Sequence, residues 1–311
     1  MASVFRIHHG PFGHVSITDL RDDLAEHAHS TLSLSFWMSG SASCFSVGGS
    51  TLQRSPRQAI LINSFVAHSV KAASDDAPTR SLVFYFSPEW LRRRLPEGVA
   101  SNFEWLDLPV SPATRARIWA LGEMLCDEDA DEDQLNAEID EALIWVLTAA
   151  RPNAGNAGAE ARRLHDFRVR KAIAFMCEDL AAGSGMEKLA RASGISRPHL
   201  FAVFREQMNL TPRVLWNTLR LEAAKTQMGG SGESLSHIAH ALGFNSACNF
   251  TRFFKQHTGV TPGTYKSAVG ARSRFRSTSI APEGACASLG SGYRPILPAA
   301  GLLSKLSGAY R

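Results

Sequence analysis

Apolar and polar residues alternate with a period of two through the first part of the chain. Leu32, Leu34, Phe36 and Met38 share one face, with Ser33 and Ser35 opposite, the pattern of a half-buried strand. Gly48-Gly49 stands between the short runs 44–47 and 50–54, where glycine supplies the positive φ of a hairpin turn. Runs 59–66 and 81–87 are short, apolar and rich in Ile, Val and Phe. Several short strands with turn signals between them predict an antiparallel sandwich or barrel.

The period then changes to that of helices. Ser111-Pro112 marks a helix start, and Ile118, Leu121, Met124 and Leu125 recur at helical spacing. Beyond an acidic stretch at 127–133, Leu135, Ile139, Leu143 and Val146 line one face of a second helix. These two helices either cover an open face of the β domain or form a dimer contact. Residues 151–161 hold a proline, two glycines and few large apolar side chains, the composition of a linker. The expected organisation is an N-terminal domain at 1–150, a linker at 151–165, a helical domain at 166–269 and a disordered basic tail at 270–311. In that tail Arg272, Arg274 and Arg276 are expected to be solvated, with phosphate contact as the alternative reading.

The helical part contains an internal repeat of about 50 residues. Leu189-Ala190 and Gly194 recur as Ile238-Ala239 and Gly243, each 49 positions on. Leu200, Phe204, Arg205 and Thr211-Pro212 recur as Phe250, Phe254, Lys255 and Thr261-Pro262, each 50 on. A small residue beside an apolar one lets two short helices pack closely. The glycine then ends the first helix in the left-handed conformation, and Ser196 or Asn245-Ser246 caps the second. Pro198 is tolerated in a first helical turn. This is the grammar of a helix-turn-helix, whose second helix enters a major groove. Two copies joined by a long helix, about 212–228, argue strongly for DNA binding.

Charge agrees with that division. Residues 1–165 carry 14 Lys and Arg against 21 Asp and Glu, residues 166–269 carry 13 against 7, and residues 270–311 carry 6 against 1. Only the second half is suited to a polyanion. No apolar run approaches the roughly 18 residues of a bilayer span, and no secretory signal is evident, so a cytoplasmic location without membrane contact is expected. The five cysteines (Cys44, Cys126, Cys177, Cys248, Cys286) are scattered and read as small apolar fillers.

Residues 167–268 resemble the AraC/XylS family of bacterial regulators, most clearly in Ile238–Phe244, Asn249–Lys255 and Gly259-Val-Thr-Pro262. An opening helix at 169–180 precedes the first unit, as in that family. The resemblance implies two recognition helices in successive major grooves about one turn of duplex apart, roughly 34 Å. Arg252 matches the family's arginine and is the foremost base contact, with Asn249 and Thr251 beside it. Phe201 and Ala202 stand where the family usually has a polar residue and an arginine, so they offer contact to thymine methyls and no bidentate bond to guanine. Arg197, His199, Arg205, Ser246 and Lys255 complete the expected DNA-binding set, as phosphate clamps or structural groups. Double-stranded DNA, a small-molecule effector, RNA polymerase and a second copy of the chain are the partners implied.

The first domain more loosely resembles the cupin-like effector-binding β-barrel of such regulators, through Glu26-His-Ala-His29, strand 32–38 ending at Gly40, the Gly48-Gly49 hairpin and Val66-Ala-His68. The overall fold expected is therefore α and β in separate domains: a barrel with two accessory helices, then an all-α double helix-turn-helix. His29, Phe36, Trp37 and His68 are the expected effector-binding residues. His27, His29 and His68 also raise an alternative, a cupin-type metal enzyme fused to a DNA-binding domain. Against it, no carboxylate follows the pair between 30 and 35 and the second cupin motif lacks its spaced Gly and Pro, so no metal, cofactor or catalysis is expected. A methyl-accepting repair protein would need a thiol cluster, and residues 1–165 hold only Cys44 and Cys126.

Overall fold

The computed structural model describes residues 6–73, 77–94, 106–127, 129–149, 166–181, 185–230 and 232–275. Among the described residues, ten strands and three helices form the first domain: β1 (Arg6–Gly10), β2 (Gly13–Leu20), β3 (Leu24–His27), β4 (Leu32–Ser39), β5 (Cys44–Val47), β6 (Ser50–Gln53), β7 (Gln58–Ile62), β8 (His68–Lys71), β9 (Thr79–Phe86), α1 (Pro88–Arg94), β10 (Leu106–Pro109), α2 (Pro112–Cys126) and α3 (Glu132–Ala149). A six-stranded sheet of order β1-β2-β9-β4-β7-β10 faces a four-stranded sheet of order β3-β8-β5-β6. The hairpin at Gly48-Gly49 pairs Val47 with Ser50, as its sequence predicts.

Strand β4 shows how the layers arise. Leu32, Leu34, Phe36 and Met38 are buried with Ile118, Leu121, Leu125, Leu135, Ile139 and Leu143 of α2 and α3. The helices thus cover one face of the larger sheet. Ser33 and Ser35, on the opposite face, are buried as well, because that face meets the smaller sheet. The polar side of the alternation therefore lines the space between the sheets. Ser111 caps α2, its Oγ accepting from Thr114 N at 3.0 Å. Trp119 and Trp145 on the covering helices remain 45 % and 39 % exposed, so the pair of helices keeps apolar surface beyond what the sheet buries.

The second domain comprises α4 (Phe167–Glu178), α5 (Met186–Ser193), α6 (Arg197–Met208), α7 (Pro212–Gly230), α8 (Leu235–Ala241), α9 (Ala247–Thr258) and α10 (Pro262–Phe275). Both copies of the repeat fold alike. Leu189, Ala190, Leu200 and Phe204 of the first, and Ile238, Ala239, Phe250 and Phe254 of the second, share one core. Gly194 and Gly243 adopt φ of +74° and +75°. Ser196 and Ser246 cap α6 and α9 through His199 N and Asn249 N. The helix α10 runs to Phe275, past residue 269 where the sequence reading ended the domain. The linker 151–165 and the tail beyond residue 275, including Arg276 and Cys286, lie outside the described residues. Cys126 and Cys248 are exposed and Cys44 half-buried, so of the four described cysteines only Cys177 is a buried filler.

The two domains are packed together. Ile7 and Phe65 of the first domain are buried within the hydrophobic core of the second, with Ala67 packed against it. Phe65 takes φ +60°, a conformation L-residues rarely adopt, and its N–H donates to His29 O at 2.6 Å.

Candidate nucleic-acid interface and the cavity behind it

Burial sorts the recognition helices into two faces. On α6, Leu200, Val203 and Phe204 face the core, whereas Arg197, His199, Ala202 and Arg205 are exposed. On α9, Phe250 and Phe254 face the core, whereas Asn249, Arg252 and Lys255 are exposed, Thr251 is half-buried, and the capping Ser246 is exposed. Phe201 is half-buried against the core, with the Arg197 guanidinium 5.9 Å above its ring. Arg197 also pairs with Glu187 at 3.1 Å. The structure thus gathers the expected polar residues on the outer faces of the two helices, and turns Phe201 partly inward.

The second unit is held in place by Arg220 of α7. Its Nε donates to Leu242 O at 2.9 Å, and its guanidinium lies 4.0 Å from the Phe244 ring centroid. Burial lowers its pKa to about 10, still far above neutrality, so the charge persists. The indole of Trp216 donates to Leu180 O at 3.4 Å, linking α7 to the end of α4.

Behind these helices a cavity of about 60 Å³ opens between the two sheets and the second domain. Its walls include His27, His29, His68, Arg54, Tyr85 and His257. His27 ends β3, His29 follows two residues later, and His68 opens β8. The ring centroids of His27 and His68 are 4.3 Å apart, those of His27 and His29 4.9 Å, and those of His29 and His68 5.2 Å. Burial pushes the pKa of all three down, with mutual repulsion adding to it at His27 and His29. His68 falls to about 4, its backbone bond opposing the shift and Arg54 assisting it. All three rings are therefore neutral near pH 7.

Arg54 is the unexpected member of this site. It is 6 % exposed, and its terminal nitrogens donate to Ser81 Oγ and, at 2.5 Å, to Ser35 Oγ. Its Nε has no partner, and no carboxylate pairs with it among the described residues. Burial lowers its pKa only to about 10, so it stays charged. Lys225 of α7 adds a second cation, 5.5 Å from the Tyr85 ring, with a pKa lowered by desolvation to about 8.

The cavity is clamped from the DNA-binding side. Thr218 Oγ1 of α7 donates to Ala28 O at 3.1 Å, and Ser30 N donates to Glu222 Oε1 at 2.8 Å, bracketing His29. From α9, Lys255 pairs with Asp22 at 2.6 Å, and the His257 ring lies 6.4 Å from that of His27. Gly259, just beyond α9, lies against Leu20 and Leu24. Of the four expected effector residues, His29 and His68 line this cavity. Phe36 and Trp37 instead border a separate apolar groove of about 390 Å³ beside Pro56, Val110 and Trp119. Arg54, Lys225, His257 and Asp22 were not singled out from the sequence. The one legible signal was the polar series Thr218, Glu222 and Lys225, which shares a face of α7 that helix-turn-helix packing does not require.

Comparison with known proteins agrees with both halves. The family model of an AraC-like ligand binding domain matches residues 16–147, and that of a helix-turn-helix domain matches residues 189–268. The raffinose operon transcriptional regulatory protein RafR of Pediococcus pentosaceus is 29 % identical over 99 residues, 32 % of this chain and 36 % of that protein. The match thus spans about a third of that relative's length. An uncharacterized HTH-type transcriptional regulator of Haemophilus influenzae is 23 % identical over 207 residues, 66 % of this chain and 67 % of that protein. Among solved structures, an apo ToxT variant from Vibrio cholerae covers 82 % of this chain and 97 % of its own, with a TM-score of 0.50 and 14 % identity, a likeness of fold. Among the described residues no helix is long and apolar enough to cross a membrane. With an AraC-like ligand binding domain ahead of a doubled helix-turn-helix, the chain belongs to the AraC/XylS family of regulators.

Proposed function

We propose that the protein is a sequence-specific DNA-binding transcription regulator controlled by a small molecule bound in its first domain. The observation that carries this is the matched pair of capped recognition helices, each exposing polar and basic residues, joined by the single helix α7. Helices α6 and α9 enter successive major grooves. Arg252 reads bases with Asn249 and Thr251, while Lys255, Arg205 and Arg197 position the backbone. The effector occupies the cavity beside His29 and His68. Because Arg54 is buried, charged and without a carboxylate, an anionic group on the effector would supply its missing partner. A second copy of the chain docks on the helices that expose Trp119 and Trp145, and RNA polymerase is the downstream partner. The site performs binding and no catalysis.

Selection of duplex sites by the full chain at fixed salt tests the reading. Two half-sites about ten base pairs apart are expected. Arg252→Ala relaxes the base preference, whereas Lys255→Ala weakens every sequence alike and flattens the salt dependence. Equal effects of both substitutions on all sequences would refute this division of roles.

A further inference from the structure

We propose that His27, His29 and His68 hold a divalent transition-metal ion at the seam between the barrel and the second recognition helix. The nitrogens the three rings offer all lie within 4.8 Å of one another. A tetrahedral ion with bonds of about 2.0–2.1 Å sets its nitrogens roughly 3.4 Å apart, so small ring rotations close the set. Two of the rings are already oriented as ligands. His27 Nδ1 donates to Ala25 O at 2.7 Å and His68 Nδ1 to Val66 O at 2.9 Å, which leaves each Nε2 lone pair facing outward from its own backbone. Such outer bonds fix the tautomer of a metal-bound imidazole. The His29 ring makes no hydrogen bond among the described residues and lies against the rings of His27, His68 and Tyr85.

The donor set decides the kind of ion. Three neutral imidazoles without a carboxylate suit zinc, cobalt, nickel or copper, and do not suit calcium or magnesium, which take oxygen ligands. The absence of an acid between residues 30 and 35, which spoke against a metal in the sequence, is no obstacle, since three histidines alone hold zinc and leave a fourth position open. The three rings lie in a cationic neighbourhood, with Arg54 lining the same cavity and Lys225 acting on His29. Arg54 and Lys225 disfavour a bare dication and favour an ion carrying an anionic fourth ligand. The inference deepens the effector reading above, because the ion would share its cavity with an anionic effector. His257 of α9 stands beside His27 with its Nδ1 bonded to Phe253 O at 2.7 Å, so occupancy of the site bears directly on the recognition helix.

The test is titration of the chelator-stripped full chain with Co2+, followed by Zn2+ in competition. One Co2+ per chain with the absorption of a four-coordinate ion is expected, displaced by one equivalent of Zn2+. His29→Ala and His68→Ala should each weaken binding by at least about 100-fold, because outer partners of metal ligands alone are worth 10–100-fold. His240→Ala, which alters an exposed histidine of α8, should bind as the parent does. Thermal melting establishes that each variant is folded, and either of the two cavity variants suffices. Binding of less than half an equivalent, or unchanged affinity in a folded cavity variant, would overturn the proposal. Since no DNA is present, that result would leave the DNA-binding reading intact.

Discussion

Lys225 carries its charge where water is scarce, and the cost has a definite pH signature. Its pKa falls from 10.5 to about 8 on folding, chiefly through desolvation and against the attraction of Glu222. Below pH 8 both folded and unfolded chains hold the proton, and the penalty is fully present. Between pH 8 and 10.5 the unfolded chain holds more protons, so stability rises with pH. At about 1.4 kcal/mol per unit, the penalty reaches up to about 3 kcal/mol. Lys225→Met should therefore raise the urea midpoint at pH 7 and lose most of that advantage by pH 10.5. An advantage independent of pH would mean that packing, not charge, is the cause. Neither the half-burial of Lys225 nor the burial of Arg54 could be read from the sequence. Charged side chains default to the surface, and nothing local to Gln53-Arg54-Ser55 announces that both sheets close over it. The histidines were legible as a group because two of them share a dipeptide step, but not the four-element seam that encloses them.

Among the elements, the two helix-turn-helix glycines offer a controlled comparison. Both adopt positive φ, yet a Cβ at Gly194 would meet nothing within 4 Å. At Gly243 it would collide with Ala181 O and approach Ala181 Cα to 2.7 Å. Gly194→Ala should cost about 1–2 kcal/mol from backbone conformation alone. Gly243→Ala adds an overpacking cost of about 1–3 kcal/mol, because the neighbour is backbone and cannot rotate away. Comparable losses at both sites, measured by denaturant unfolding, would show that the Ala181 segment yields. The helices α6 and α9 were legible because the repeat supplies caps, glycines and inward aromatics twice over. Strands β1, β2 and β3 were not. Strand β2 is buried on both faces except at Gly13, His14 and Thr18, so no alternation survives, and β3 has only four residues. Strand β10 escaped for the same reason of length, being recognisable only through its pairing of Leu106 with Leu61.

Across the whole molecule, the same basic residue that is expected to grip phosphate is engaged by the barrel. Lys255 and Asp22 are 48 % and 62 % exposed, so their bond is worth at most about 1 kcal/mol. Asp22→Asn should thus raise the affinity of the effector-free chain for duplex DNA by up to about fivefold, in low salt more than in high, as read by fluorescence anisotropy. Unchanged affinity would show that Lys255 swings free without cost. The position of Phe65 has a further consequence. A sensor that lends an aromatic side chain to the interior of its output domain cannot be exchanged as a cassette. A chimera that grafts residues 166–275 behind a foreign sensor would inherit a vacant socket where Phe65 and Ile7 belong. Diversification of such a regulator then proceeds by altering the cavity within an existing pairing of halves, and the loop that carries Phe65 must travel with the DNA-binding half it completes.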